Sequence, residues 1–253
     1  MSVSLAELNS ALNELLKPHE FRDYCPNGLQ VEGRDEISLL VTGVTASQAL
    51  IDSALEQGAD AILVHHGYFW KGEDPVVTGI RRNRLKTLLD NDINLFAYHL
   101  PLDAHPELGN NAQLGLNLGF KTEGDLDALN KSRVGVWGSL YEPCNGWELS
   151  RRITDSLDRS PLHIPGKAET IQRIAWCTGS AQSYIKMAFE AGADAYLTGE
   201  ASEQTVHYAR ETGMHFFAAG HHATERYGVQ AVGRHLEKEL CIEHKFIDID
   251  NPV

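Results

Sequence analysis

Six of the twelve histidines are concentrated in three short segments of this sequence. These segments contain His65-His66, His99 with His105, and His221-His222. Each segment comes directly after an apolar, strand-like run. Imidazole and carboxylate groups are the usual protein ligands of Zn, Fe and Mn. The clustering therefore predicts a metal site.

The third segment adds a carboxylate at a spacing that suits shared coordination. His221 and Glu225 are four residues apart and would share one face of a helix that opens after Gly220. The amino terminus of a helix repels cations, and a carboxylate there offsets that penalty. A single pair of this kind is commonly a solvated helix pair, and a single His-His pair is commonly structural. Their combination at three strand ends favours metal binding.

The hypothesis that follows is a dinuclear centre. His65 and His66 would point to opposite sides of a regular strand. At a strand end they can flank two ions that lie about 3.5–4 Å apart. Each histidine would bind a different ion, Glu225 would bridge them, and Asp103 would complete the ligand set. Pro101 stiffens the turn that aims Asp103.

Several neighbouring residues are predicted to assist the ligands. His99, His105 and His222 would orient ligands or move protons, with capping or packing as the alternative role. Glu200 would serve either as a base or as a structural acid. The sequence contains no GxSxG, P-loop or GxGxxG motif that would indicate a different chemistry.

An internal repeat indicates the elements that position these residues. Residues 42–66 and 178–200 both begin with Thr-Gly, continue as an amphipathic helix and reach Gly-Ala-Asp-Ala before a short apolar strand. In this alignment Glu200 falls opposite His66. Further on, residues 94–103 and 215–225 also correspond. Each half therefore reads strand, helix, strand, helix, strand, which predicts an α/β fold with mainly parallel sheets.

We expect two α/β domains, residues 1–119 and 120–253, because the repeat divides the chain there. Parallel strands place their carboxyl ends at one sheet edge, where ligands bind. Other predicted elements are an N-terminal helix opened by a Ser4–Glu7 capping box, strands at Leu39–Val41, Ile174–Cys177, Arg133–Leu140 and Ile242–Ile249, and a helix at Trp147–Leu157. The middle segment, 120–172, is expected to join the second domain.

Composition narrows the class of protein. The formal net charge is −13, which disfavours non-specific nucleic-acid binding. The four cysteines form no CxxC pair, and neither a signal peptide nor an apolar run of membrane-spanning length is visible. These features predict a soluble, cytoplasmic protein with reduced thiols and no membrane partner.

The chain resembles the family of GTP cyclohydrolase 1 type 2 homologs, proteins of the YbgI type related to the NIF-three-like group. The resemblance covers essentially the whole chain and is carried by the segments Tyr24–Gly33, Val41–Gln48, Val64–Trp70, His99–His105, Thr198–Glu200 and Gly220–Glu225. It implies two interlocked α/β domains of the NIF-three-like fold. It also implies two metal ions on His65, His66, Asp103, His221 and Glu225, and a homohexameric ring.

Two functions remain open. The first is a metal-dependent hydrolase of nucleotides, modified nucleotides or pterin-like heterocycles, with GTP ring opening implied by the family name. The second is a non-catalytic metal-binding ring that recognises a protein or nucleic acid. An open coordination position favours the hydrolase, since structural metal sites are usually closed. The ligand types suit Fe, Mn and Zn alike.

Overall fold

A computed structural model of the protein describes residues 1–126 and 134–253, which form two compact units. The first unit contains Met1–Leu102 and Gly228–Asp250, and the second contains Asp103–Tyr227 and Asn251–Val253. These bounds differ from the predicted halves, 1–119 and 120–253. The reason is that the strand at Glu243–Phe246 pairs with the first unit's sheet, while the helix at Asn110–Leu118 packs against the second unit's edge strand.

The helices and strands follow one another along the chain in a largely alternating order. The first part contains β1 (Val3–Ser4), α1 (Leu5–Leu16), β2 (Gly28–Val31), β3 (Glu36–Ile37), β4 (Leu39–Thr45), α2 (Gln48–Glu56), β5 (Ala61–His66), α3 (Gly79–Asp90), β6 (Asn94–Ala97) and α4 (Leu100–Ala104). The remainder contains α5 (Asn110–Leu118), β7 (Phe120–Asp125), β8 (Val136–Cys144), α6 (Gly146–Leu157), β9 (Leu162–Ile164), β10 (Ile171–Trp176), α7 (Ile185–Glu190), β11 (Ala195–Thr198), α8 (Glu203–Thr212), β12 (His215–Ala218), α9 (His221–Thr224), α10 (Arg226–Leu240) and β13 (Glu243–Phe246).

The first unit is built on a five-stranded sheet with the order β13-β4-β5-β6-β2. Strands β13, β4, β5 and β6 run parallel, and β2 is antiparallel to β6. Strands β4, β5 and β6 are almost entirely buried, as expected for parallel strands covered on both faces. The carboxyl ends of β5 and β6 are therefore neighbours, and they carry the predicted histidines.

The second unit is built on a six-stranded sheet with the order β7-β8-β10-β11-β12-β9. Strands β10, β11 and β12 are parallel, and antiparallel strands extend the sheet on both sides. The predicted strand at 133–140 corresponds to β8, although Arg133 lies outside the described residues. The middle segment belongs to this unit, as expected. The helix predicted at 147–157 is α6, and a capping box formed by Asn145 and Glu148 stabilises its amino terminus.

The repeat is confirmed at the level of single hydrogen bonds. In the first unit, Oδ2 of Asp60 accepts the backbone N–H groups of Ser38 (2.8 Å) and Leu39 (3.0 Å). In the second unit, Oδ2 of Asp194 accepts two successive N–H groups in the same way, at 3.0 and 2.9 Å. The aspartate of each Gly-Ala-Asp-Ala thus secures the start of the adjacent parallel strand, which explains why the motif occurs twice.

The ends of the chain fold as local chemistry predicts. The Ser4–Glu7 capping box is present at the start of α1, whose apolar residues Leu8, Leu12 and Leu16 are buried. The C-terminal strand is shorter than predicted and covers only Glu243–Phe246.

Within residues 1–126 and 134–253, every helix is too short or too polar to span a lipid bilayer.

Candidate metal centre

The first unit contributes His65 and His66 at the carboxyl end of β5. His65 is fully buried, and its Nδ1 lies 3.0 Å from the carbonyl oxygen of Tyr98. A carbonyl can only accept, so Nδ1 carries the proton and Nε2 has the lone pair that could bind a metal ion. His66 places its Nδ1 3.2 Å from Oγ1 of Thr45, its partner across the parallel ladder. The centres of the two rings lie 4.5 Å apart, so both imidazoles lie side by side at the end of the strand.

His99 joins these two histidines. Its ring centre lies 5.1 Å from that of His65 and 5.9 Å from that of His66. One ligand atom from each of the three side chains lies within 4.8 Å of the others, so this group could hold a metal ion. The sequence assigned His99 an assisting role, and the structure places it among the candidate ligands of the first unit.

Asp23 holds His99 in place, and the sequence analysis missed this residue. Oδ1 of Asp23 lies 2.7 Å from Nδ1 of His99, and Oδ2 accepts the Leu100 N–H at 2.9 Å. Burial raises the pKa of Asp23, but the hydrogen bond and positive charge of His99, with bonds from Asn27 and the Tyr24 N–H, leave this pKa below its usual value. No spacing rule connects residues 76 positions apart, so only the fold reveals the contact.

A thiol also lies beside this aspartate. Asp23, Cys25 and His99 form a second group within metal-binding distance. Burial, together with the negative charge of Asp23, raises the pKa of the Cys25 thiol to about 12. A thiol binds metal as the thiolate, so metal binding at Cys25 would have to release its proton.

The second unit contributes Asp103, which is buried near the end of α4. Its Oδ1 accepts hydrogen bonds from Nδ2 of Asn110 (2.9 Å) and from Oγ1 of Thr178 (3.2 Å). Nδ2 of Asn111 donates to the Asp103 carbonyl at 3.2 Å. These bonds determine the orientation of the buried carboxylate.

His221 and Glu225 come together as their spacing predicts, although the helix is shorter than expected. Helix α9 ends at Thr224, and Glu225 terminates it. Nε2 of His221 nevertheless lies 3.2 Å from Oε2 of Glu225, whose side chain is only 3% exposed. One helical turn is enough to align the pair.

Glu200 lies on the other side of the same imidazole. Its Oε1 lies 2.7 Å from Nδ1 of His221, and Ser180 Oγ donates to its Oε2 at 3.1 Å. Burial lowers the pKa of His221, but the hydrogen bonds and negative charges of Glu225 and Glu200 outweigh it and raise this pKa to about 9. The surroundings of His221 are therefore strongly negative and favour a cation at its Nε2.

A glycine makes room for this arrangement. Gly179 has a φ of +67°, and a Cβ at this position would lie 2.1 Å from Oε1 of Glu225 and 3.1 Å from Nε2 of His221. Its N–H donates to Oγ1 of Thr224 at 3.0 Å. Sequence analysis used the Thr-Gly pair only to align the repeat, whereas the structure shows that its glycine borders the carboxylate and imidazole donors.

The other predicted helpers differ in position. His105 Nδ1 accepts the N–H of Leu108 at 3.0 Å, so it caps the turn that leads to α5. His222 is half-buried, and its backbone N–H donates to the Val253 carbonyl at 2.9 Å. Neither contact involves a candidate ligand side chain. His99 and Glu200 lie beside candidate ligands, since the His99 ring centre is 5.1 Å from that of His65 and Oε1 of Glu200 is 2.7 Å from Nδ1 of His221.

The model of the family Duf34/NIF3 (NGG1p interacting factor 3) matches residues 3–252. A protein named GTP cyclohydrolase 1 type 2 homolog from Pseudomonas aeruginosa is 58% identical over 252 residues, covering 100% of both chains. A protein of the same name from Escherichia coli K12 is 55% identical and covers 97% of this chain and 98% of its own.

Solved structures show the same fold. One described as protein ybgI, of unknown function, is 54% identical with a TM-score of 0.95 and covers 99% of this chain and 100% of its own. At this sequence identity, the solved protein is a relative of the chain and not only a protein of the same fold. The predicted α/β fold of the NIF-three-like type is confirmed.

Proposed function

This chain belongs to the Duf34/NIF3 family, and on that premise we propose that it binds two divalent metal ions and acts as a metal-dependent hydrolase. The ions would be held by His65, His66, Asp103, His221 and Glu225. The observation that carries the proposal is the orientation of two of the candidate histidine ligands. Nδ1 of His65 donates to a carbonyl, and Nδ1 of His221 faces a carboxylate, which presents Nε2 of each ring as a ligand. Metal-binding histidines are typically oriented in this way.

The donor set fits hard or borderline divalent ions. It combines imidazole nitrogens with carboxylate oxygens, as in sites for Fe, Mn and Zn. When bound, such ions act as Lewis acids, polarising a substrate oxygen and acidifying water. The acidic net charge of the chain does not oppose anionic substrates, because the ions reverse the local field.

The remaining residues would orient groups and move protons. Glu200 would hold His221 in position rather than act as a base, since its Oε1 lies beside Nδ1 of that ring. His99, with Asp23 on its Nδ1, presents Nε2 as a group that can accept or donate a proton. His222 is the second candidate for proton transfer. The name of the relatives makes GTP the first substrate to test, followed by modified nucleotides and pterin-like heterocycles.

A matched pair of variants tests the proposal. Glu225→Ala removes the buried carboxylate beside His221. Glu203→Ala removes a carboxylate at the same spacing from His207, in a pair where the glutamate is 91% exposed. Elemental analysis should find about two metals per chain in the wild type and in Glu203→Ala, and fewer in Glu225→Ala. Hydrolysis of a nucleotide panel should be lost only in Glu225→Ala.

The outcomes separate the two parts of the proposal. Wild-type protein that binds no metal after reconstitution would refute the metal centre. Two metals without turnover of any substrate would refute the hydrolase and favour the non-catalytic metal-binding ring with a protein or nucleic-acid partner.

We further propose, from the family resemblance, that the chain assembles into a homohexamer in the cytoplasm. Light scattering coupled to size-exclusion chromatography tests the assembly, since six copies of a 28.0 kDa chain differ clearly in mass from a monomer or dimer. Cell fractionation tests the location.

A further inference from the structure

Two aromatic side chains of the first unit, Trp70 and Tyr24, lie beside the histidine group. The indole of Trp70 lies 4.9 Å from the His99 ring at an angle of 82°, and 6.0 Å from the His66 ring. The ring of Tyr24 lies 6.3 Å from His99. Phe69 precedes Trp70 in the segment that follows β5. These residues, Tyr24, Phe69 and Trp70, are called the aromatic rim below.

Two members of the aromatic rim are more exposed than a packing role requires. Tyr24 is 62% exposed and Phe69 is 40% exposed. Their neighbour Tyr68 shows the contrasting case, because it is buried and its hydroxyl donates to the Ala46 carbonyl at 2.8 Å. Packing explains Tyr68 and the half-buried Trp70. The ring of Phe69 lies 6.2 Å from that of Tyr68, at an angle of 89°, but it and the ring of Tyr24 still leave large surfaces exposed.

Phe69 is also held in an unfavourable backbone conformation. Its φ is +65°, in the left-handed region that bulky residues rarely adopt. A glycine would take this position without strain. Strained residues that persist in a well-anchored segment are concentrated at ligand sites.

The segment is anchored firmly by Gln30. The side chain of Gln30 accepts the Tyr68 N–H at 2.7 Å, donates to the Tyr68 carbonyl at 3.1 Å and donates to the Pro26 carbonyl at 2.8 Å. The N–H of Lys71 donates to the Tyr24 carbonyl at 2.6 Å. These bonds tie the backbone beside Tyr24 to the backbone beside Phe69 and Trp70, so the exposed rings belong to one ordered surface.

We infer that the aromatic rim binds a planar nitrogen heterocycle by stacking, which makes a purine or pterin ring the part of the substrate that this chain recognises. This inference rests on the proposed metal-dependent function, because the rim borders His66 and His99. Aromatic side chains stack on any nucleobase or similar heteroaromatic ring, because each such ring has a π-face.

Binding of guanosine to the metal-loaded protein tests the inference, with ribose 5-phosphate as the ligand that lacks the ring. Isothermal titration should detect saturable guanosine binding to the wild type. Tyr24→Leu should weaken this binding roughly five- to tenfold, the loss typical of one stacked ring. Tyr141→Leu is the matched control, since Tyr141 is 66% exposed and belongs to the other unit. It should bind guanosine as the wild type does.

Phe69→Gly distinguishes binding from packing. Glycine removes the ring and relieves the positive φ, so the inference predicts an unchanged or higher melting temperature together with weaker guanosine binding. A lower melting temperature with unchanged guanosine affinity would show that Phe69 is structural and would overturn its role in the rim.

Metal content separates failure of this inference from failure of the proposed function. Absence of guanosine binding in a wild type that carries two metals would overturn the stacking inference alone, as would equal affinity in Tyr24→Leu and Tyr141→Leu. A wild type without metal would overturn the proposed function, and guanosine binding to that protein would still support the rim.

Discussion

Nδ1 of His221 lies 2.7 Å from Oε1 of Glu200, and this contact pairs a candidate metal ligand with an orienting carboxylate. The first unit contains a comparable pair, since Nδ1 of His99 lies 2.7 Å from Oδ1 of Asp23. In both pairs the carboxylate contacts the nitrogen nearer the backbone and leaves Nε2 for another partner. Such carboxylates raise the basicity of the ring and hold its orientation.

Glu200→Gln should weaken metal binding without abolishing it. The amide oxygen can still accept from His221, but the negative charge is lost, so affinity should fall about ten- to hundredfold. Competition with a chelator of known affinity measures the change. The exposed Glu203→Gln serves as the control and should match the wild type. Equal affinities in all three proteins would show that Glu200 does not support the metal ligand.

Gly179→Ala should lower both stability and metal content. The added Cβ would lie 2.1 Å from Oε1 of Glu225 and would also sit at a positive φ. Gly192→Ala isolates the second effect, since Gly192 has a φ of +73° with nothing within 4 Å of its Cβ position. The backbone strain alone costs about 1–2 kcal/mol. Both variants should therefore have a lower melting temperature than the wild type. Elemental analysis should show a lower metal content only in Gly179→Ala.

Stability should fall as the pH drops from about 6.5 to about 4. Burial, and then the charge of neighbouring His215, lower the pKa of His163 to about 4. The unfolded chain, with a histidine pKa near 6.5, binds a proton in this range that the folded protein does not. The loss should be about 1–2 kcal/mol, allowing for partial solvent exposure of His163.

The pH effect is checked by thermal unfolding at pH 7 and pH 5. His163→Gln should reduce the difference between the two melting temperatures, because it removes the group that gains a proton on unfolding. His207→Gln, which changes an exposed histidine, should keep the full difference. An undiminished difference in His163→Gln would assign the pH dependence to other groups.

Alkylation of the native protein should modify Cys241 well before the other cysteines. All four cysteines are free, and Cys241 is exposed while Cys25, Cys144 and Cys177 are buried. Burial raises the pKa of each buried thiol, to about 12 for Cys25. Mass spectrometry after brief iodoacetamide treatment tests the order, and denatured protein should react at all four positions. Early modification of Cys25 would show that its surroundings open in solution.

The local features of this protein were predictable from sequence because they depend on neighbours in the chain. Two of these features involve residues only a few positions apart, namely the Ser4–Glu7 capping box and the pairing of His221 with Glu225. A third, the duplicated strand–helix–strand unit, is visible as a repeated sequence pattern. Hydrophobic periodicity and side-chain geometry within one turn are sufficient for such features. The strand-end positions of His65 and His66 follow from the same pattern.

The contacts that give the candidate ligands their chemistry depended on the tertiary structure. Packing brings Asp23 to His99, Thr178 to Asp103 and Gly179 to Glu225. Packing of α5 against β7 also moves the unit boundary to Leu102, and pairing between β13 and β4 returns the C-terminal segment to the first sheet. The sequence by itself determined which residue types stand at the strand ends. The tertiary structure decided which buried partners orient them, because those partners are distant in the chain and only close packing brings them within hydrogen-bond distance.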